Sequence, residues 1–120
     1  MGNALIVDDS STERKILVGY LQELGITVTT AESGEEALDK LKGSIPDLII
    51  LDVVLPGKSG FEVCREIKAD SSTAKVPVII CSTKGSEMDK FWGMKQGADA
   101  YIPKPVDKDE LFSAVKRLVK

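Results

Sequence analysis

Four places in the chain carry side chains that could do chemistry together: Asp8-Asp9, Asp52, Ser82-Thr83 and Lys104. Each follows a short apolar run. Asp52 raises the sharpest question, because it sits inside LIILDVVLPGKSG (48–60), a strand-forming stretch that stops at Pro-Gly. A carboxylate in such a run is costly unless it is paired, protonated or bound to a cation. Three clustered carboxylates repel one another, and a hard divalent cation with oxygen ligands is the simplest way to keep all three ionised near neutrality. Magnesium suits this set, being content with a few carboxylates plus water. Such an ion would also neutralise an incoming phosphate, while Lys104 and the Ser82 hydroxyl held its remaining oxygens. Asp52 is then a candidate nucleophile, whose attack on phosphorus would give an acyl phosphate.

Those residues must be brought together by the elements that carry them. Four apolar runs stand out: ALIV (4–7), LIIL (48–51), VIIC (78–81) and AYI (100–102), with a weaker alternating stretch at ITVTT (26–30). Continuous apolar strands indicate a sheet covered on both faces. Helical patterns lie between them. Ile16, Leu17, Tyr20, Leu21 and Leu24 recur on one face, behind Ser10 and Glu13 at capping-box spacing and ahead of Gly25. Ser33 and Glu36 repeat that signal before Ala37, Leu38 and Leu41, and Phe61, Cys64 and Ile67 define a third helix. Met88, Phe91, Trp92 and Lys95 outline a fourth, closed by Gly97; Asp107 and Glu110 should cap a fifth, with Leu111, Phe112, Val115, Leu118 and Val119 inside. The alternation predicts an α/β fold with a five-stranded parallel sheet, helices on both faces and the functional crevice at the carboxyl ends of the strands. Pro103, which cannot donate a ladder hydrogen bond, places the last strand at a sheet edge. Gly57 and Gly60 read as backbone turn residues, and Trp92 and Tyr101 as core or surface aromatics.

Composition narrows the alternatives. With 120 residues, 42% of them hydrophobic, the chain suits one compact domain spanning 1–120. A net charge of −3 argues against a dedicated nucleic-acid binder, and no run approaches a membrane span or a signal peptide. A cytoplasmic location is expected. Cys64 and Cys81 then read as buried thiols rather than a disulfide. The absence of histidine excludes every histidine-based catalytic scheme.

The segments ALIVDDS (4–10), LIILDVVLPGKSG (48–60), VPVIICST (76–83) and GADAYIPKP (97–105) together resemble the receiver domain of bacterial response regulators, the CheY-like family. The resemblance covers the whole chain. It implies a doubly wound (βα)5, flavodoxin-like fold of strand order 2-1-3-4-5. It implies that Asp52 accepts a phosphoryl group from a histidine kinase, that Asp9, Asp52 and the Val54 carbonyl bind magnesium, and that Asp8 holds a metal-bound water. Ser82 would bond the phosphoryl group, Lys104 would pair with it, and the Lys104-Pro105 peptide would be cis. Tyr101 stands at the switch aromatic's position. Phosphorylation would draw Ser82 inward, turn Tyr101 into the vacated space and alter the surface of the fourth helix, fifth strand and fifth helix for a downstream protein partner.

The segment TKGSEMDKFWGMKQGADAY (83–101) is similar to stand-alone regulators of type IV pilus twitching motility and related chemosensory systems, which implies a CheA-like kinase. A chain ending at its fifth helix implies no output domain, a signalling switch rather than an enzyme, and a monomer or a phosphorylation-dependent dimer. Val54, Thr83, Lys84 and Pro103 depart from the residues many relatives carry, and bear on phosphoryl lifetime and on the approach of Lys104. Two rivals compete with this reading. A phosphorylation-independent binding module would have no need of the repulsive cluster, and an aspartate-nucleophile phosphatase of the haloacid dehalogenase type would carry a second aspartate where Val54 stands.

Overall fold

The structure is a computed structural model that describes residues 2–119. Ten elements alternate along the chain: β1 (Asn3–Val7), α1 (Ser11–Glu23), β2 (Thr27–Ala31), α2 (Gly34–Gly43), β3 (Leu48–Leu51), α3 (Gly60–Ala69), β4 (Val78–Ser82), α4 (Glu87–Lys95), β5 (Ala100–Pro103) and α5 (Lys108–Leu118). All five strands run parallel in the order β2-β1-β3-β4-β5, as the resemblance implies. The alternating ITVTT stretch forms β2 from Thr27 to Ala31, one residue later than expected, at one edge, and Pro103 lies in β5 at the other.

Strand residues alternate between two apolar layers because successive side chains point to opposite faces. Leu5, Val7, Ile49, Leu51, Val78 and Ile80 pack with Ala37, Leu41, Val63 and Ile67 of α2 and α3. Ala4, Ile6, Leu48, Ile50, Ile79, Cys81 and Ile102 pack with Leu17, Leu21, Leu111 and Val115 of α1 and α5. Burying each large aliphatic side chain contributes about 1.5–3 kcal/mol, so the two layers together hold the sheet between its helices. The free thiols divide between them, Cys64 in the first and Cys81 in the second, where no disulfide can join them. Burial pushes the Cys64 thiol up to about 11 and the Cys81 thiol up to about 12.

Helix starts follow their capping residues. The side chains of Ser10, Ser33 and Ser59 accept from the amides of Glu13, Glu36 and Glu62, and Ser86 forms a reciprocal box with Asp89. Asp107 departs from expectation: it occupies the N-cap of α5 but its side chain makes no capping bond, leaving the first turn to the backbone bond from Leu111 N to Asp107 O. Two expected apolar faces also differ. Ile16 is exposed beside buried Leu17 and Leu21, and Met88, Phe91 and Trp92 of α4 point outward. The buried residue of α4 is Gly93.

Candidate phosphoryl-acceptor site

Backbone bonds just beyond the strands place the polar residues. Asp8 N donates to Ala31 O at 3.0 Å, Asp52 N to Val7 O at 2.9 Å, and Lys104 N to Ser82 O at 2.9 Å. Each extends a parallel ladder by one residue, so Asp8, Asp52 and Lys104 arrive in register at the carboxyl edge of neighbouring strands. The sheet thereby collects residues nearly a hundred positions apart.

Asp8, Asp9 and Asp52 each offer a carboxylate oxygen, and the three oxygens lie within 4.8 Å of one another. Asp8 and Asp52 are buried and Asp9 is exposed. Lys104, its side chain 5% exposed, reaches across them with Nζ 2.6 Å from Asp8 Oδ2 and 3.2 Å from Asp52 Oδ2. Burial disfavours its ammonium, but the Asp8 hydrogen bond and the Asp52 and Asp8 charges outweigh that cost and hold its pKa above the ordinary lysine value. Asp8 Oδ1 also accepts from Ser10 N at 2.9 Å, and Asp52 Oδ1 from Val54 N at 3.3 Å.

Three carboxylates facing one ammonium leave an excess of two negative charges, which one divalent cation balances. The donor set, all oxygen and partly open to solvent at Asp9, fits magnesium. Val53 O is taken up by Gly60 N, whereas no backbone bond among the described residues uses the Val54 carbonyl. That carbonyl is thus left without a backbone partner among the described residues.

Ser82 is fully buried at the end of β4, its Oγ accepting from Lys84 N at 3.2 Å. Tyr101, half-buried on β5, donates its hydroxyl to the Lys84 carbonyl. Burial, together with the Asp89 and Asp52 charges, pushes the phenol up to about 12 against the opposing effect of Ser82. Thr83 and Lys84 are exposed, and Val54 is 49% exposed although its amide reaches Asp52. The Lys104-Pro105 peptide is cis.

A family model for the response regulator receiver domain matches residues 4–116. The chain belongs to that family. This receiver domain is 40% identical over 119 residues to Protein PilH of Pseudomonas aeruginosa, covering 99% of this chain and 98% of PilH. It is also 40% identical over 116 residues to the probable transcriptional regulator ycf27 of Guillardia theta, covering 97% of this chain but 44% of that protein. Among solved structures it is similar to a response regulator from Chloroflexus aurantiacus, with TM-score 0.95 and 35% identity over 98% of this chain and 97% of the other. Chemotaxis protein CheY4 of Vibrio cholerae follows with TM-score 0.90 and 33% identity, covering 98% of both chains. An acidic pocket of the kind formed by Asp8, Asp9 and Asp52 is where receiver domains bind magnesium.

Three contributors escaped the sequence reading. Gly60 is not a turn residue but the first residue of α3, seated so that a Cβ would lie 1.9 Å from Asp52 O. Glu13 Oε2 stands 4.0 Å from Lys104 Nζ, and Arg14 Nη1 donates to Asp8 O at 2.8 Å. The Ser10 cap is the signal that points to the last two, because it aims the first turn of α1 back at the end of β1.

Proposed function

We propose that this receiver domain is a response regulator switched by phosphorylation of Asp52. The observation that carries the reading is the convergence of Asp8, Asp9 and Asp52 with Lys104 at one sheet edge. Asp52 is half-shielded, one oxygen bonded to Val54 N and the other to Lys104, which directs a reacting oxygen toward the open side near Asp9. As the carboxylate attacks phosphorus, the bond from phosphorus to the donor breaks and the donor departs with its electron pair. Lys104 then moves from pairing carboxylates to pairing a phosphoryl oxygen, and Ser82 Oγ turns from Lys84 N to donate to another. Magnesium held by Asp8, Asp9, Asp52 and the Val54 carbonyl would neutralise charge on the phosphoryl group.

The donor is a histidine kinase, since receiver domains receive phosphoryl groups from such kinases. Similarity to PilH together with segment 83–101 supports a CheA-like kinase and a cytoplasmic regulator of type IV pilus motility. Output passes through Ser82 and Tyr101 to the surface of α4, β5 and α5, which changes its affinity for a protein partner.

Intact mass after incubation with acetyl phosphate or phosphoramidate tests this, with and without magnesium. The wild type should gain one phosphoryl group only with magnesium, and Asp52→Asn none. A wild type that stays unmodified with every donor would favour the phosphorylation-independent binding module.

A further inference from the structure

Four of the five helices anchor themselves by burying apolar side chains, and α4 does not. Its Met88, Phe91, Trp92 and Met94 side chains are exposed, and the residue it buries is Gly93. A Cβ placed on Gly93 would lie 2.7 Å from Tyr101 Cδ2, 2.8 Å from Tyr101 Cε2 and 3.2 Å from Ile80 Cδ1. Ordinary carbon–carbon contacts are wider than that, so the ring rests directly on the backbone of α4. Helix propensity does not account for this glycine, which is a poorer helix former than alanine in a helix interior.

The same strand grips the preceding loop at two further points. The Tyr101 hydroxyl donates to the carbonyl of Lys84, two residues beyond Ser82. Pro103 packs under Gly85, where a Cβ would come within 3.0 Å of the proline Cβ. Tyr101 thus bridges a notch in α4 and the loop that follows Ser82.

We infer that Gly93 is the socket of Tyr101: by carrying no side chain it lets the ring dock under α4 and hold the Ser82–Ser86 loop against β5. Gly93 is then a positioning residue for the switch, acting through Tyr101. The inference rests on the switch reading of Tyr101 for its meaning, but its geometry stands without it. A methyl group at position 93 would displace the ring, release the Lys84 carbonyl and free the loop. The Ile80 methyl, at the far end of a flexible side chain, can give way.

The test uses the full, unphosphorylated chain with Tyr20→Phe and fluorotyrosine incorporated, so that Tyr101 is the sole fluorine probe. Gly93→Ala should move the Tyr101 resonance toward its denatured position and enlarge its solvent isotope shift. Urea midpoints of the parent, Gly93→Ala, Tyr101→Ala and the double variant supply the second readout. Gly93→Ala should lower the midpoint when Tyr101 is present and raise it when Tyr101 is alanine, because only helix propensity then remains. Folding lost in the single variant and recovered in the double variant would carry the same meaning. Equal midpoint shifts in both backgrounds with an unmoved fluorine signal, or loss of folding in both, would overturn the inference. Neither measurement involves phosphoryl transfer, so failure here leaves the Asp52 reading intact, and failure of phosphorylation leaves the socket testable.

Discussion

Gly60 stands against the main chain of Asp52 so closely that a Cβ would lie 1.9 Å from the Asp52 carbonyl oxygen. The N-terminus of α3 is thereby pressed onto the residue proposed as phosphoryl acceptor, and the contact on the other side is backbone that cannot rotate away. Gly60→Ala should cost about 3 kcal/mol, the upper end of the overpacking range, because the contact is backbone. Gly19, exposed in α1 with nothing within 4 Å of its Cβ position, is the control. Gly19→Ala should stabilise by about 0.5–1 kcal/mol from helix propensity alone. Urea denaturation of the two variants checks both signs.

Lys104 neutralises two buried carboxylates, so its removal strands them. Lys104→Met should destabilise the metal-free protein by about 3 kcal/mol, as breaking a buried ion pair does. Millimolar magnesium should recover part of that loss by restoring positive charge to the cluster. Thermal unfolding in chelator and in magnesium measures the difference, and a variant as stable as the wild type in chelator would contradict it.

The Tyr101 phenol should report its burial through alkaline stability. Its folded pKa is raised to about 12 from the ordinary 10.0, so its contribution is complete below pH 10 and is lost as pH rises through about 12. Tyr101→Phe should cost about 1 kcal/mol near neutrality, a figure discounted for solvent screening of a half-buried group. Its gap from the wild type should close between pH 10 and 12. Chemical denaturation at a series of pH values follows the gap directly.

The thiols of Cys64 and Cys81 are buried, and both pKa values are raised, to about 11 and about 12. Neither forms thiolate near neutrality, nor can reagent reach it without opening of the core. An aromatic disulfide reagent at pH 8 should consume no thiol in the folded protein and two equivalents in denaturant. The folded rate should be lower by about 1,000-fold or more, reflecting global stability.

Ser86 and Asp89 form the reciprocal capping box that starts α4. Since few side chains anchor this helix, Ser86→Ala should cost about 1 kcal/mol and concentrate the loss in α4. Hydrogen exchange should show faster exchange of the α4 amides while those of β1 and β3 hold.

Much of this molecule was legible in the residues. Runs of consecutive apolar residues mark strands covered on both faces, and serines three positions before an acid mark helix starts; both are local consequences of chain geometry. The acidic cluster was legible for the same reason, since parallel strands of similar length must release Asp8, Asp52 and Lys104 at one edge. The misses occurred where a local pattern had more than one tertiary outcome. Met88, Phe91 and Trp92 have the spacing of a buried face, yet the helix that carries them rolls them outward to seat Gly93 on Tyr101. Asp107 has the type and position of a cap, yet its side chain makes no capping bond.

The sequence by itself determined the order of elements, the covered parallel sheet and the chemical character of its carboxyl edge, because those follow from side-chain periodicity and from where polar residues interrupt it. Only the tertiary structure decided that Glu13 and Arg14 reach the cluster, that Gly60 abuts the Asp52 carbonyl and that Gly93 receives the Tyr101 ring. These depend on separate elements approaching to within about 2–4 Å, and such distances are set by how whole helices pack rather than by any stretch of neighbouring residues.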